Sequence, residues 1–405
     1  MAVVSSRARA VMTRTAEAAK SVASRPSRAA ETMLRRVFEL VSCLVRWLVS
    51  LASFVFGWLP VGRERLAGDG RRVLVSGCDS GIGLRLAQRL HDAGYRVLAG
   101  CLNDDSEGAR HLATLCDGEC PVQVLPLDVT SDQSVQRALV QGQVQDKGLW
   151  GLVNNAGVCV LGEFEWMTPE QVERTMAVNL LGTLRLTKAC LPFIRRSKGR
   201  VVSLSTVVSA APSFPCMAAY YVSKAAVESF SRCLRLELAR HGAHASVVRP
   251  GDLVKHTALM DHQADENKAS VRTRKLGCIA QERHKDEART RVERQLSTID
   301  LLQLAMWDSM DEEQRLAHGP HLAGFARGCR SKQGALSPGR LDDSPLFGHV
   351  EHALGSRRPR ALYVSDRGLW PLFLSTLALL PTAASDALWV LYYIFLGRLG
   401  GDRAS

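Results

Sequence analysis

The chain of 405 residues carries 46% hydrophobic side chains, enough to bury a sizeable core, which excludes a chain that is disordered as a whole. Its formal charge of +12 is accompanied by only 6% aromatic residues and by no recognition motif, so no nucleic-acid partner is expected. The 11 cysteines are scattered, with no Cys-x-x-Cys and an isolated Cys116-x-x-x-Cys120, which argues against a disulfide framework and against a metal site.

Residues 1–36 form a basic tail rich in Arg, Ser and Ala, in which Arg7, Arg9, Arg14, Lys20, Arg25, Arg28, Arg35 and Arg36 face only Glu17 and Glu31. Such a composition suits a mitochondrial transit peptide or the cytoplasmic flank of a membrane anchor. Residues 37–61 then run apolar, broken by Glu39 and Arg46. The uninterrupted part, 47–61, is only ~22 Å long as a helix against a ~30 Å bilayer core, so a full span requires Arg46 to snorkel. With Trp47 and Trp58 at its ends as interfacial anchors, the run is expected to associate with a membrane.

From Arg71 the pattern becomes strands alternating with helices. Arg72-Val73-Leu74-Val75-Ser76 reads as a buried strand that enters the turn Gly77-Cys78-Asp79-Ser80-Gly81-Ile82-Gly83 before an amphipathic helix over 84–93. Strand, glycine turn and helix make a phosphate cradle. Gly77 permits the turn, Gly81 admits a pyrophosphate to the backbone, Gly83 allows close helix packing, and amides at the helix start meet the anion. A second strand over 96–102 leads into Asn103, Asp104 and Asp105, acids that accept ribose hydroxyls and repel a 2′-phosphate. A third, over 122–127, ends at Asp128, and a fourth, over 149–153, runs into Asn154-Asn155-Ala156-Gly157, whose small residues let a cofactor lie flat on the sheet edge.

A helix is expected over 169–191, with Asn179 a polar amide among apolar neighbours that requires a partner or a water. A fifth strand over 199–204 ends at Ser205 and Thr206, and a sixth over 245–248 ends at Arg249-Pro250-Gly251. Between them, Tyr220-Tyr221-Val222-Ser223-Lys224 opens a helix, where residues four apart share a face. A phenol is a poor base at neutral pH, and the Lys224 ammonium is expected to favour the phenolate and lower the Tyr220 pKa.

The ordered set Ser76-Gly77-x-x-x-Gly81-Ile82-Gly83, Asp128, Asn154-Asn155-Ala156-Gly157, Asn179, Tyr220-x-x-x-Lys224 and Pro250-Gly251 resembles the short-chain dehydrogenase/reductase family over residues 71 to 257. Leu149-Trp150-Gly151-Leu152-Val153, Val97-Leu98-Ala99-Gly100 and Leu234-Arg235-Leu236-Glu237-Leu238 are similar to its membrane-associated branch of hydroxysteroid, retinol and D-3-hydroxybutyrate dehydrogenases. The resemblance implies one doubly wound α/β catalytic domain with a parallel sheet, a nicotinamide cofactor, a small-molecule alcohol or ketone substrate and a homo-oligomer. It implies Tyr220 as general acid/base, Lys224 on the nicotinamide ribose, Asn179 holding a relay water and Asp128 at the adenine. It places the cofactor against Gly77, Asp79, Ser80, Gly81, Ile82, Gly83, Asn103, Asp128, Val129, Asn155, Ala156, Gly157, Tyr220, Lys224, Pro250 and Gly251. One position departs. At the spacing usual for the family's serine this chain has Val207, and anchoring on strand five gives the role to Thr206, with Ser205 its neighbour.

Residues 261–300 read as a charged insertion, 301–366 as substrate-side helices with a last strand, and 367–405 as an apolar segment whose two runs cap the core or touch a membrane. The expected activity is NAD-dependent oxidation of a lipophilic alcohol at the endoplasmic reticulum membrane. The alternatives are a mitochondrial D-3-hydroxybutyrate-type enzyme and a catalytically weak binding or scaffold protein.

Overall fold

The computed structural model describes residues 68–115, 121–210, 216–251, 305–318, 322 and 339–365, all within a unit that runs Phe54–Ser405. The basic tail, the apolar run 37–61, the charged insertion and the C-terminal apolar runs lie outside these residues. Among the described residues no helix is long and apolar enough to cross a membrane.

Seven strands, β1 (Arg72–Ser76), β2 (Arg96–Cys101), β3 (Gln123–Pro126), β4 (Gly151–Asn154), β5 (Arg200–Leu204), β6 (His244–Pro250) and β7 (Leu362–Ser365), form one sheet. Their order is β3-β2-β1-β4-β5-β6-β7 and every pairing is parallel. This is the expected doubly wound α/β sheet, with its switch point between β1 and β4.

A strand buried on both faces must be apolar at odd and even positions alike. In β1, Val73 and Val75 point to one layer, formed by α1 (Gly81–Asp92), α2 (Glu107–Ala113) and the late helix α7 (Pro345–Gly355). Leu74 points to the other, formed by α3 (Asp132–Gln141), α5 (Thr183–Ser197) and α6 (Ala218–Ala239). The two faces therefore have separate cores, and the edges of the strands carry the polar residues.

The helix expected over 169–191 differs in one respect. It runs as α4 (Pro169–Met176), a π-helical stretch Ala177–Gly182 and then α5, with Asn179 inside the widened turn. Thr168 starts α4 with a reciprocal capping box to Gln171. A π-bulge inserts a residue without changing the apolar pattern by much, and such bulges recur at functional sites.

Helix α7 docks on β7 through two histidines. His349 Nδ1 lies 2.8 Å from Ser365 Oγ, and His352 Nδ1 lies 2.7 Å from the Tyr363 hydroxyl. Burial, reinforced by Arg360 and His352, pushes His349 from its ordinary 6.5 down to about 4. Between those values the unfolded chain binds a proton that the folded one refuses, so stability falls as pH drops from 6.5 to 4. Thermal melts across that range are expected to show the decline, and His349→Gln is expected to flatten it. An unchanged slope in the variant counts against His349 as its source.

Candidate active site

The carboxyl ends of β1, β4, β5 and β6 bring the sequence-derived residues to one edge. At β1 the chain turns through Gly77 (φ 72°) and Gly81 (φ 56°), left-handed values that favour glycine. Gly83 sits so close to the turn that a Cβ there would lie 2.0 Å from the Gly77 carbonyl oxygen. A Cβ on Gly77 would come within 2.9 Å of Ala156 Cα, so the cradle walls are backbone. The first turn of α1 carries no acid, leaving its positive end available to an anion.

Asn155 does more than keep the edge low. Its Nδ2 donates to the carbonyls of Ser76 (2.8 Å) and Gly77 (3.0 Å), and its backbone amide donates to Ser76 Oγ (3.1 Å), which also accepts from Ala156 (3.1 Å). The ends of β1 and β4 are clamped together across the switch point. Ser76, the hydroxyl in this clamp, is a residue the sequence reading quoted only as part of a motif.

Asp79 proves to be a brace. Its carboxylate accepts from the amides of Leu102 (3.0 Å) and Asn103 (2.8 Å), fixing the glycine turn to the end of β2. Asn103 Oδ1 in turn accepts from the Asp105 amide, and Asp105 meets Arg110 at 3.4 Å. At the end of β3, Asp128 Oδ1 accepts from Thr130 through both amide and hydroxyl. Ile82 packs against one core layer and Val129 belongs to the other.

Tyr220 and Lys224 lie one turn apart on α6, 7% and 5% exposed. Lys224 Nζ is 5.8 Å from the centre of the Tyr220 ring and donates to the Leu204 carbonyl at 3.1 Å. A Cβ on Gly157 would lie 3.4 Å from that nitrogen and 3.3 Å from Asn179 Oδ1, so the absence of a side chain at Gly157 leaves these two groups facing one space. Burial, then Cys159 and Tyr221, pushes the Tyr220 phenol well above its ordinary value. Burial also lowers Lys224 to about 8, against an opposing pull from Cys159. Where the sequence led to a lowered Tyr220 pKa, burial raises it, and both groups are driven toward their neutral forms.

Asn179 makes three hydrogen bonds through its side chain. Oδ1 accepts from the Val158 amide (2.8 Å), while Nδ2 donates to the Val158 carbonyl (2.9 Å) and to Ser223 Oγ (3.0 Å). Ser223 Oγ donates to the Tyr220 carbonyl at 2.7 Å, which links the π stretch to the start of α6. The side chain is therefore a strut between the segment that follows β4 and α6.

At the end of β5, Ser205 is buried, with Oγ 3.2 Å from Ser209 Oγ and 3.5 Å from the Lys224 carbonyl. Thr206, next to it, is partly exposed. Pro250 closes β6 and Gly251 donates its amide to Ser365 at 3.3 Å. Ala219, the residue before Tyr220, belongs to a third apolar cluster with Val160, Trp166, Met167, Met306, Met310 and Leu322.

Residues 71–268 match the family model described as short chain dehydrogenase. D-beta-hydroxybutyrate dehydrogenase, mitochondrial, of Rattus norvegicus is 32% identical over 330 residues, 80% of this chain and 85% of that protein. The human 17-beta-hydroxysteroid dehydrogenase type 2 is 39% identical over 202 residues, 49% of this chain and 51% of that one. Retinol dehydrogenase 7 of Mus musculus is 39% identical over 181 residues, 44% of this chain and 55% of that one.

Proposed function

The chain belongs to the short-chain dehydrogenase family and is an oxidoreductase, and from that premise we propose that it oxidises a lipophilic alcohol to the ketone or aldehyde with NAD. The observation that carries the reading is the buried Tyr220-Lys224 pair, with Lys224 Nζ bonded to the Leu204 carbonyl at the end of β5. A nicotinamide cofactor fits the residues present: the cradle of Gly77, Gly81 and Gly83 leaves no room for a Cβ at Gly77 or Gly83, and the end of α1 offers positive polarity to a pyrophosphate. When bound, that cofactor supplies the hydride acceptor.

The chain's own groups do the rest. Tyr220, once its own phenolic proton has passed to solvent, takes the alcohol proton, Thr206 donates a hydrogen bond to the reacting oxygen, and Lys224 holds the ribose. Asn179 fixes the edge on which they sit. Support for a lipophilic substrate comes from the apolar residues Val160, Trp166, Met306 and Met310, buried in the cluster that includes Ala219, the residue before Tyr220. A second reading, a D-3-hydroxybutyrate-type enzyme in mitochondria, draws on the relative matched over 85% of its length. The basic tail 1–36 suits that location too, while the apolar run 37–61 favours the endoplasmic reticulum membrane. Assembly as a homo-oligomer is part of the same proposal.

The test is NADH formation by the membrane pellet and by the supernatant of expressing cells, supplied in parallel with hydroxysteroids, retinol and D-3-hydroxybutyrate. Turnover of hydroxysteroid or retinol in the pellet is expected. Turnover of the hydroxy acid alone favours the second reading, and cofactor binding with no turnover favours a binding protein.

Within this mechanism Thr206→Val is expected to lower kcat by about tenfold, the worth of one neutral hydrogen bond of about 1.4 kcal/mol. Ser205→Ala is expected to do less, because the Ser205 hydroxyl is turned into the Ser209 and Lys224 contacts. The reverse ranking of the two reassigns the donor to Ser205.

A further inference from the structure

Behind the reacting edge lies a buried ion pair with no part in the chemistry described above. Glu228 is on α6 one turn past Lys224, and Arg249 ends β6 immediately before Pro250. Arg249 donates to both carboxylate oxygens, Nε to Oε1 at 2.8 Å and Nη2 to Oε2 at 2.6 Å, with the two side chains 12% and 6% exposed. Ser209, in the 3₁₀ turn Val207–Ala210 that follows Thr206, donates its hydroxyl to Glu228 Oε1. The Thr206 carbonyl, which accepts from the Ser209 amide at 3.1 Å, lies 2.7 Å from the same hydroxyl and competes for its single proton, and the ionised carboxylate is the stronger of the two acceptors. Burial alone raises the Glu228 pKa; Arg249, with the Ser209 and Ser205 hydroxyls, outweighs it and holds the group ionised.

We propose that Glu228, fixed by Arg249, is a positioning residue that sets the Thr206 hydroxyl through Ser209. The proposal rests on the reading of Thr206 as the donor to the reacting oxygen. One carboxylate then joins the helix of Tyr220 and Lys224, the turn that presents Thr206, and the strand that delivers Pro250 and Gly251. Charge compensation by Arg249 lets that carboxylate stay buried and rigid, so the turn is referred to the tyrosine helix instead of drifting with solvent. Glu228 and Arg249 are separated by 21 residues in sequence and meet where the chain returns from α6 along β6.

The test is a set of double-mutant cycles on the full chain. Ser209→Ala cuts the link without unpairing the charges, and Glu228→Gln keeps an acceptor of the same shape without the charge. Each is expected to lower kcat by roughly three- to tenfold, bounded by the Thr206→Val effect, with the KM for NAD within about twofold. Ser209→Thr, which keeps the hydroxyl, is expected to restore the rate. In a Thr206→Val background neither Ser209→Ala nor Glu228→Gln is expected to cost anything further, an outcome a merely structural role does not give. Losses that persist in full in that background, or a KM for NAD that rises in step with them, overturn the positioning role alone. A Thr206→Val variant with unchanged kcat overturns the donor reading, and the positioning role with it.

Discussion

Tyr220→Phe is expected to lower turnover by about 10²–10⁴-fold while leaving NAD affinity nearly intact, because only the proton-transferring oxygen is removed. The ring keeps its place, since Tyr220 is buried on α6 and its backbone carbonyl is still bonded by Ser223. The environment sharpens the expectation. Burial drives the phenol up and Lys224 down to about 8, so the folded protein holds a neutral hydroxyl ready to hydrogen-bond an alcohol or a carbonyl. Phenylalanine cannot exchange a proton at that point, and Ser223, on the same helix, is turned to backbone and to Asn179. The measurement is single-turnover NADH formation alongside fluorescence titration of NADH. Full activity in the variant ends the acid/base assignment, and loss of NADH binding in parallel recasts Tyr220 as a binding residue.

The sheet was legible because its strands are buried on both faces, which writes them as short apolar runs such as Val73-Leu74-Val75 and Val201-Val202. The glycine turn and the Tyr220-Lys224 pair were legible because each is local: backbone geometry in one case, the helical repeat in the other. What escaped depends on partners far apart in the chain. Asn179 is a strut because it meets Val158 and Ser223, 21 and 44 residues away, and no local pattern shows which. The π stretch around it leaves the apolar periodicity of a plain helix. Glu228 did carry a signal, four residues beyond Lys224 on the same helix face, but its cation came from another strand. Tyr220 was misjudged electrostatically for the same reason: sequence gives the neighbour, and burial decides which effect wins.

Catalytic efficiency is expected to be roughly five- to a thousandfold higher with NAD than with NADP, the equivalent of one uncompensated like-charge contact at ~4 Å costing on the order of 1–4 kcal/mol. The residues at the end of β2 supply the charge. Asp79 is only 8% exposed and spends its carboxylate on the Leu102 and Asn103 amides, so its part is to hold that strand end in place. The repulsion falls to the exposed Asp104 and Asp105 that follow. Arg110, the first cation after them, is drawn to Asp105 at 3.4 Å and partly cancels that acid, which leaves Asp104 as the uncompensated charge. A ribose with a free 2′-hydroxyl can donate to these oxygens, whereas a 2′-phosphate offers only acceptors and negative charge. Cells keep NAD mostly oxidised, so the preference also sets the direction: hydride leaves the alcohol. Efficiency measured with each cofactor on one accepted substrate decides the matter, and Asp104→Asn is expected to narrow the ratio without slowing the NAD reaction. Equal or better use of NADP by the unmodified protein overturns the cofactor preference and, with it, the oxidative direction.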